Sequence, residues 1–124
     1  MKTGHKTWVI PGGHIPLLST GTEPQFTSRD EICLLNTAAQ EVKVTIMIYY
    51  EDREPVGPYK IELDAECVRH IRFNDLVDPL PLPLDMDFAA VIRSDVPIVV
   101  QFTRMQTGQS SLAGFSTLAF AADT

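Results

Sequence analysis

Long apolar runs are absent from this chain, and so is any sustained helical period. No stretch approaches the ~20 consecutive apolar residues that an α-helix needs to cross a bilayer. No window keeps apolar residues at helical spacing for long; "DLVD" and "TAAQE" are the best candidates, each sized for a single turn. Cysteine is scarce: Cys33 and Cys67 are the two present, without a CxxC or a Cys/His ligand spacing. That excludes a disulfide-dense scaffold and a zinc ribbon. Both sit in apolar runs that read as strand, so two buried thiols in a reducing compartment are expected, with a Cys33–Cys67 disulfide as the competing arrangement. Basic residues are few, 10 Lys and Arg against 16 Asp and Glu, giving a net charge of −6 and no Lys/Arg cluster. Nucleic acid and anionic membrane surfaces are disfavoured as partners, because both are held through basic patches. Before Pro11 there is no apolar stretch of signal-peptide length. A soluble, cytoplasmic protein is the expectation.

What is present is an ordinary globular balance, 44% hydrophobic and 21% charged over 124 residues. It suits one domain spanning residues 1–124 that buries roughly two-thirds of the surface its unfolded chain exposes. The dominant period is two. In "VKVTIMIYY", Val42, Val44, Ile46, Ile48 and Tyr50 share one face, and Lys43, Thr45, Met47 and Tyr49 share the other. "PYKIELD" and "ECVRHIRF" repeat the alternation, and "TWVI", "EICLLN", "FAAVI", "PIVVQFTR" and "GFSTLAFA" supply further strands. β-branched residues are abundant, and "PGG", "EDREPVGP", "SDVP" and "TGQSS" read as connections. Seven or eight short strands with Pro/Gly turns predict an all-β fold, an antiparallel, jelly-roll-like β-sandwich.

Met47, Tyr49, Val99, Leu118 and Phe120 fall on the faces opposite those assigned to the core. Five outward apolar side chains on one small sandwich predict a second buried surface, most simply an oligomer interface.

Catalytic patterns are weak. "GFSTL" misses the final glycine of a nucleophile elbow and reads as strand. His5, His14 and His70 have no partner at metal-ligand spacing, so neither a metal nor another cofactor is expected. Asp85 and Asp87 in "DMD" resemble a carboxylate pair at the end of a Pro-rich loop, where turn chemistry also accounts for them. "GHIPLLSTG" lacks the G-K-[ST] ending of a phosphate loop. No enzyme is expected. "RFNDL" is the more telling stretch: Arg72, Asn74 and Asp75 put a guanidinium, an amide and a carboxylate at a strand end. That set suits vicinal hydroxyls or a carboxylate on a small ligand, with Trp8, Tyr49, Tyr50 and Tyr59 available as aromatic platforms. The competing arrangement is an Arg72–Asp75 ion pair with Asn74 in a turn.

"EPQF" (23–26), "EPVGPY" (54–59), "RFNDL" (72–76), "DFAAVI" (87–92) and "VPIVVQFTR" (96–104), in that order and spacing, resemble the sensory rhodopsin transducer family. The resemblance runs from about Thr7 to Ala121. It implies a jelly-roll-like subunit in a homotetramer and a cytoplasmic signalling module that binds a small molecule, a sugar among the candidates. The alternative it carries is a transducer docking on a membrane receptor such as a sensory rhodopsin. By matching segments it marks Trp8, Glu23, Gln25, Asn36, Arg72, Asn74, Asp75, Gln101 and Arg104 as ligand-site candidates. "RMQTGQSSLAG" (104–114) and "AECVRH" (65–70) depart from the family's wording, and a docking surface could lie in such segments.

Overall fold

The computed structural model describes residues 3–15, 29–106 and 113–122. Among the described residues, eight strands run in chain order: β1 His5–His14, β2 Arg29–Asn36, β3 Val42–Tyr50, β4 Val56–Leu63, β5 Cys67–Arg72, β6 Asp87–Gln106, β7 Ala113–Leu118 and β8 Phe120–Ala121. One 3-10 turn, Phe73–Asp75, follows β5. All strand pairings are antiparallel. Sheet I has the order β4-β3-β6-β1-β8. Sheet II is built from β5, β2, β6 and β7, with β2 and β7 flanking β6. The fold is an all-β sandwich.

Strand β6 belongs to both sheets. Its first half pairs with β3 and β1, and its second half with β2 and β7. Sequence reading divides this segment at "SDVP"; the chain instead continues as one 20-residue strand that changes sheets there. The polar residues serve the change of direction. Ser94 Oγ donates to the Val96 carbonyl (2.7 Å), and Asp95 Oδ1 accepts the Lys43 backbone N–H (3.0 Å). Trp8 packs at the same corner, its indole N–H donating to the carbonyls of Ile98 and His5 (both 3.0 Å). Gly4 is obligatory beside it: its φ is +94°, and a Cβ there would stand 1.9 Å from the Ile98 oxygen.

The "PGG" stretch is likewise not a terminating turn. β1 runs through it with a register irregularity between Ile10 and Gly13, as a bulge allows. "TAAQE" makes bends rather than a helical turn, and the turn expected at "DLVD" forms slightly earlier, over Phe73–Asp75. "TGQSS" lies outside the described residues.

Core faces follow the alternation. Val42, Val44, Ile46 and Ile48 of β3, and Tyr59, Ile61 and Leu63 of β4, are buried. They meet Ile32 and Leu34 of β2 and Val100 and Phe102 of β6 in one apolar cluster. Asn36 is fully buried and structural: its amide donates to the carbonyls of Gln40 (2.8 Å) and Asp64 (3.0 Å) and accepts from Ala38 N–H (2.9 Å).

The cysteines depart from expectation. Both are free thiols, Cys67 exposed and Cys33 half-buried. Cys33 pairs with His70 and Cys67 with Asn36, three rungs away along the β2–β5 ladder. That separation, roughly 10 Å, is beyond disulfide reach. Burial, reinforced by the nearby Glu31 carboxylate, pushes the Cys33 thiol pKa up. Because the thiolate is the nucleophile, a chromogenic thiol reagent is expected to titrate Cys67 fast and Cys33 at least about tenfold more slowly. Cys67→Ser should remove the fast phase; equal rates would contradict the exposure difference.

Candidate functional site

A concavity lies at one end of sheet I, where β1 bulges, β3 ends and β6 begins. It is a groove of about 490 Å³ lined by Pro11, Gly12, Gly13, His14, Tyr49, Tyr50, Glu51, Asp87, Phe88, Ala89 and Arg104. Register explains the convergence. Tyr49 and Tyr50 lie opposite Ala89 and Phe88, while Gly13 and His14 lie opposite Phe88 and Asp87. The strand ends are thus in line, and the β1 bulge opens space between them. Gly13 keeps that space, since a Cβ there would come within 2.4 Å of the Phe88 ring.

One wall is anchored by a buried ion pair. Asp30, with no exposed surface, accepts from Arg104 Nε (2.9 Å) and Nη2 (3.1 Å) and from the His14 backbone N–H (2.6 Å). Arg104 Nη2 also donates to the Gly12 carbonyl (3.0 Å). Three strands are tied together by these groups, and the guanidinium is held at the groove with little freedom. Bidentate geometry of this kind is strong and directional.

The other polar wall centres on His14. Its Nδ1 is 2.7 Å from Asp87 Oδ1, and its Nε2 is 3.4 Å from Asp85 Oδ1. Asp85 sits at φ 56°, a left-handed conformation that aspartate tolerates, and its N–H donates to the Ile15 carbonyl (2.7 Å). The "DMD" carboxylates thus converge on one imidazole. A smaller hollow of about 260 Å³ continues past them along Glu51, Asp52 and Met86. Tyr50 supplies an aromatic side, with Arg53 stacked 5.2 Å from its ring centroid. Burial raises the Tyr50 phenol pKa, outweighing the opposite pull of Arg53, so the hydroxyl is a neutral donor at physiological pH. The groove thus combines aromatic surface, a fixed cation and acceptor carboxylates, the kinds of group that fix a ligand's orientation in a binding pocket.

The residues that sequence marks as ligand-site candidates are distributed. Arg104 lines the groove. Trp8 and Asn36 are buried in structural roles. Gln101 is exposed on the outer face of sheet II, opposite Cys33. Arg72 and Asp75 form a two-point ion pair, Nε–Oδ2 and Nη2–Oδ1 both 3.0 Å, around the 3-10 turn that holds Asn74. Glu23 and Gln25 lie outside the described residues. Sequence reading sets His14 aside for want of a partner at metal-ligand spacing, and leaves Asp87 as half of a carboxylate pair or as turn chemistry. The available signal was the strand-end position of both, which became meaningful only with the β1–β6 register.

The outward apolar residues fall on two faces. Met47 pairs with Val91, Val91 with Val9, and Val9 with Phe120, giving an unbroken apolar row across sheet I. Tyr49 lies beside it on β3. On sheet II, Val99 pairs with Leu35 and Leu35 with Val68, while Leu118 pairs with Gln101.

These features define an antiparallel β-sandwich whose central strand passes between both sheets and whose sheet I ends in a polar and aromatic groove. Its sequence matches the model of the Anabaena sensory rhodopsin transducer family over residues 3–121, and the chain belongs to that family. Among solved structures, it is similar to the Anabaena sensory rhodopsin transducer, with 50% identity and a TM-score of 0.75 over 82% of this chain and 98% of that one. It is also similar to Thermotoga maritima 1070, with 26% identity and a TM-score of 0.83 over 96% of each chain. No curated protein sequence matches it. No helix among the described residues is long and apolar enough to cross a membrane.

Proposed function

We propose that this protein is a non-enzymatic, cytoplasmic signalling module that binds a small polyhydroxylated or acidic molecule, with sugars and sugar acids as the first class. The observation that carries the proposal is the groove in which Arg104, fixed by buried Asp30, faces Tyr49, Tyr50, His14 and Asp87. Aromatic rings cover C–H faces, and the charged groups take hydroxyls or a carboxylate. Calorimetry against a panel of sugars and sugar acids tests it. Asp87→Asn and Tyr49→Ala are expected to weaken binding at least about tenfold, or about 1.4 kcal/mol. Arg72→Ala, outside the groove and engaged with Asp75, should leave it unchanged. Absence of binding at millimolar ligand would overturn the proposal. Loss on Arg72→Ala alone would move the site to the 3-10 turn.

Self-association through the apolar row of sheet I accompanies this reading, with a homotetramer as the expected state. Met47, Val91, Val9 and Phe120 form a continuous strip, and Phe120 is 68% exposed in the isolated chain. Isolated apolar residues need no partner, but a strip across four strands does. Sedimentation should find an oligomer, and Phe120→Asp should weaken it at least about tenfold. A monomeric wild type would contradict the assignment. The 50% identity to the Anabaena sensory rhodopsin transducer supports a second reading, docking on a sensory rhodopsin-like membrane receptor. Co-purification with a rhodopsin from the same source would favour it; absence of any rhodopsin there would end it.

A further inference from the structure

On the outer face of sheet II, β2 presents Glu31 and Cys33 two residues apart, and therefore on one side of the strand. β5 places His70 directly across the ladder from Cys33. One donor atom from each of the three lies within 4.8 Å of the other two, and His70 Nδ1 stands 3.4 Å from Glu31 Oε1. The antiparallel ladder fixes their Cα positions, so the cluster is a property of register rather than of a loop.

The donor set is selective. A thiol, an imidazole and a carboxylate suit borderline divalent transition ions; Mg²⁺ and Ca²⁺ take oxygen ligands. Zinc bonds of about 2.0–2.3 Å put tetrahedral donors roughly 3.3–3.8 Å apart. Closing the cluster from its present spread, up to 4.8 Å, calls for donor movements on the order of 1 Å. We propose that Glu31, Cys33 and His70 form a three-ligand site for a divalent transition ion, zinc by its chemistry, with a fourth position open to water or an external ligand. The carboxylate and the metal-bound thiolate together balance the charge of the dication, and binding releases the thiol proton. The half-buried Cys33 and Glu31 form the floor, while His70, with 60% of its side chain exposed, closes from the solvent side. None of the three lines the Tyr49 groove, so the site is independent of the ligand reading. Linear spacing does not reveal it because the third ligand arrives from a different strand.

Titration of metal-free, reduced protein with Co²⁺ tests the site. One ion per chain and a thiolate-to-cobalt charge-transfer band are expected, and Zn²⁺ should abolish the band by displacement. Cys33→Ser should eliminate the band, and His70→Ala should weaken Zn²⁺ at least about tenfold. Cys67→Ser should change nothing, and Zn²⁺ should slow labelling of Cys33 while sparing Cys67. A wild type without the band, a band that survives Cys33→Ser, or unchanged affinity in His70→Ala would each overturn the proposal. Should Cys33→Ser fail to fold, the exposed His70→Ala decides alone.

Discussion

Asp30→Ala is expected to cost about 3 kcal/mol of folding stability, at the low end of the range for breaking a buried ion pair. Asp30 has no exposed surface, and its carboxylate accepts from Arg104 twice and from the His14 backbone. Removing it takes the charged partner from the Arg104 guanidinium, which keeps its bond to the Gly12 carbonyl, and takes the acceptor from the His14 backbone N–H. The Arg104 side chain is 22% exposed, so water recovers part of the loss. For a chain of this size the fall corresponds to roughly 10 °C in melting temperature. The double variant Asp30→Ala/Arg104→Ala should lose less than the sum of the single variants, by about 1–3 kcal/mol, because the groups act as one unit. Denaturant unfolding of all four proteins measures this. Additive losses, or a cost below about 1 kcal/mol for Asp30→Ala, would mean that the pair is already solvated. The groove would then lose the fixed cation on which the binding proposal rests.

The alternation in β3 and β4 made their inner faces legible, because one face packs on the core and the other does not. The sequence of β6 reads as two strands for a definite reason. Asp95 and Pro97 are turn formers in isolation, but here the chain leaves one sheet for the other, where a polar side chain and a missing N–H are tolerated. Local propensity reports a bend correctly and cannot tell a bend from a reversal. The same holds for "PGG", where a glycine kept small by the Phe88 ring marks a bulge.

The site was less legible because its members come from distant strands. Family resemblance marks Arg104 but not its partner Asp30, since nothing local distinguishes a strand aspartate that will be buried from one that will be solvated. Asp87 and His14 meet only through the β1–β6 register. Arg72, Asn74 and Asp75 were conspicuous because adjacent polar residues stand out in a sequence. The structure gives Arg72 and Asp75 to each other, which is the commoner fate of neighbouring opposite charges.

Phe73, in the middle of that same conspicuous string, should matter more than the charges around it: Phe73→Ala is expected to destabilise by about 3–5 kcal/mol. Its side chain is fully buried, and its ring meets Phe88 edge to face at 5.0 Å. Phe88 in turn forms part of the groove and fills the place a Gly13 side chain would take. Truncating Phe73 therefore opens a cavity beneath the groove and frees Phe88 to shift, so ligand affinity should fall along with stability. Phe73→Leu keeps most of the volume and should cost under about 2 kcal/mol. Arg72→Ala and Asp75→Ala, which break only a partly exposed pair, should each stay within about 1 kcal/mol. Thermal and denaturant unfolding of these four variants separates the two accounts of "RFNDL". If the charges outweigh Phe73, the string exists to hold the Arg72–Asp75 pair; the burial of Phe73 requires the reverse order.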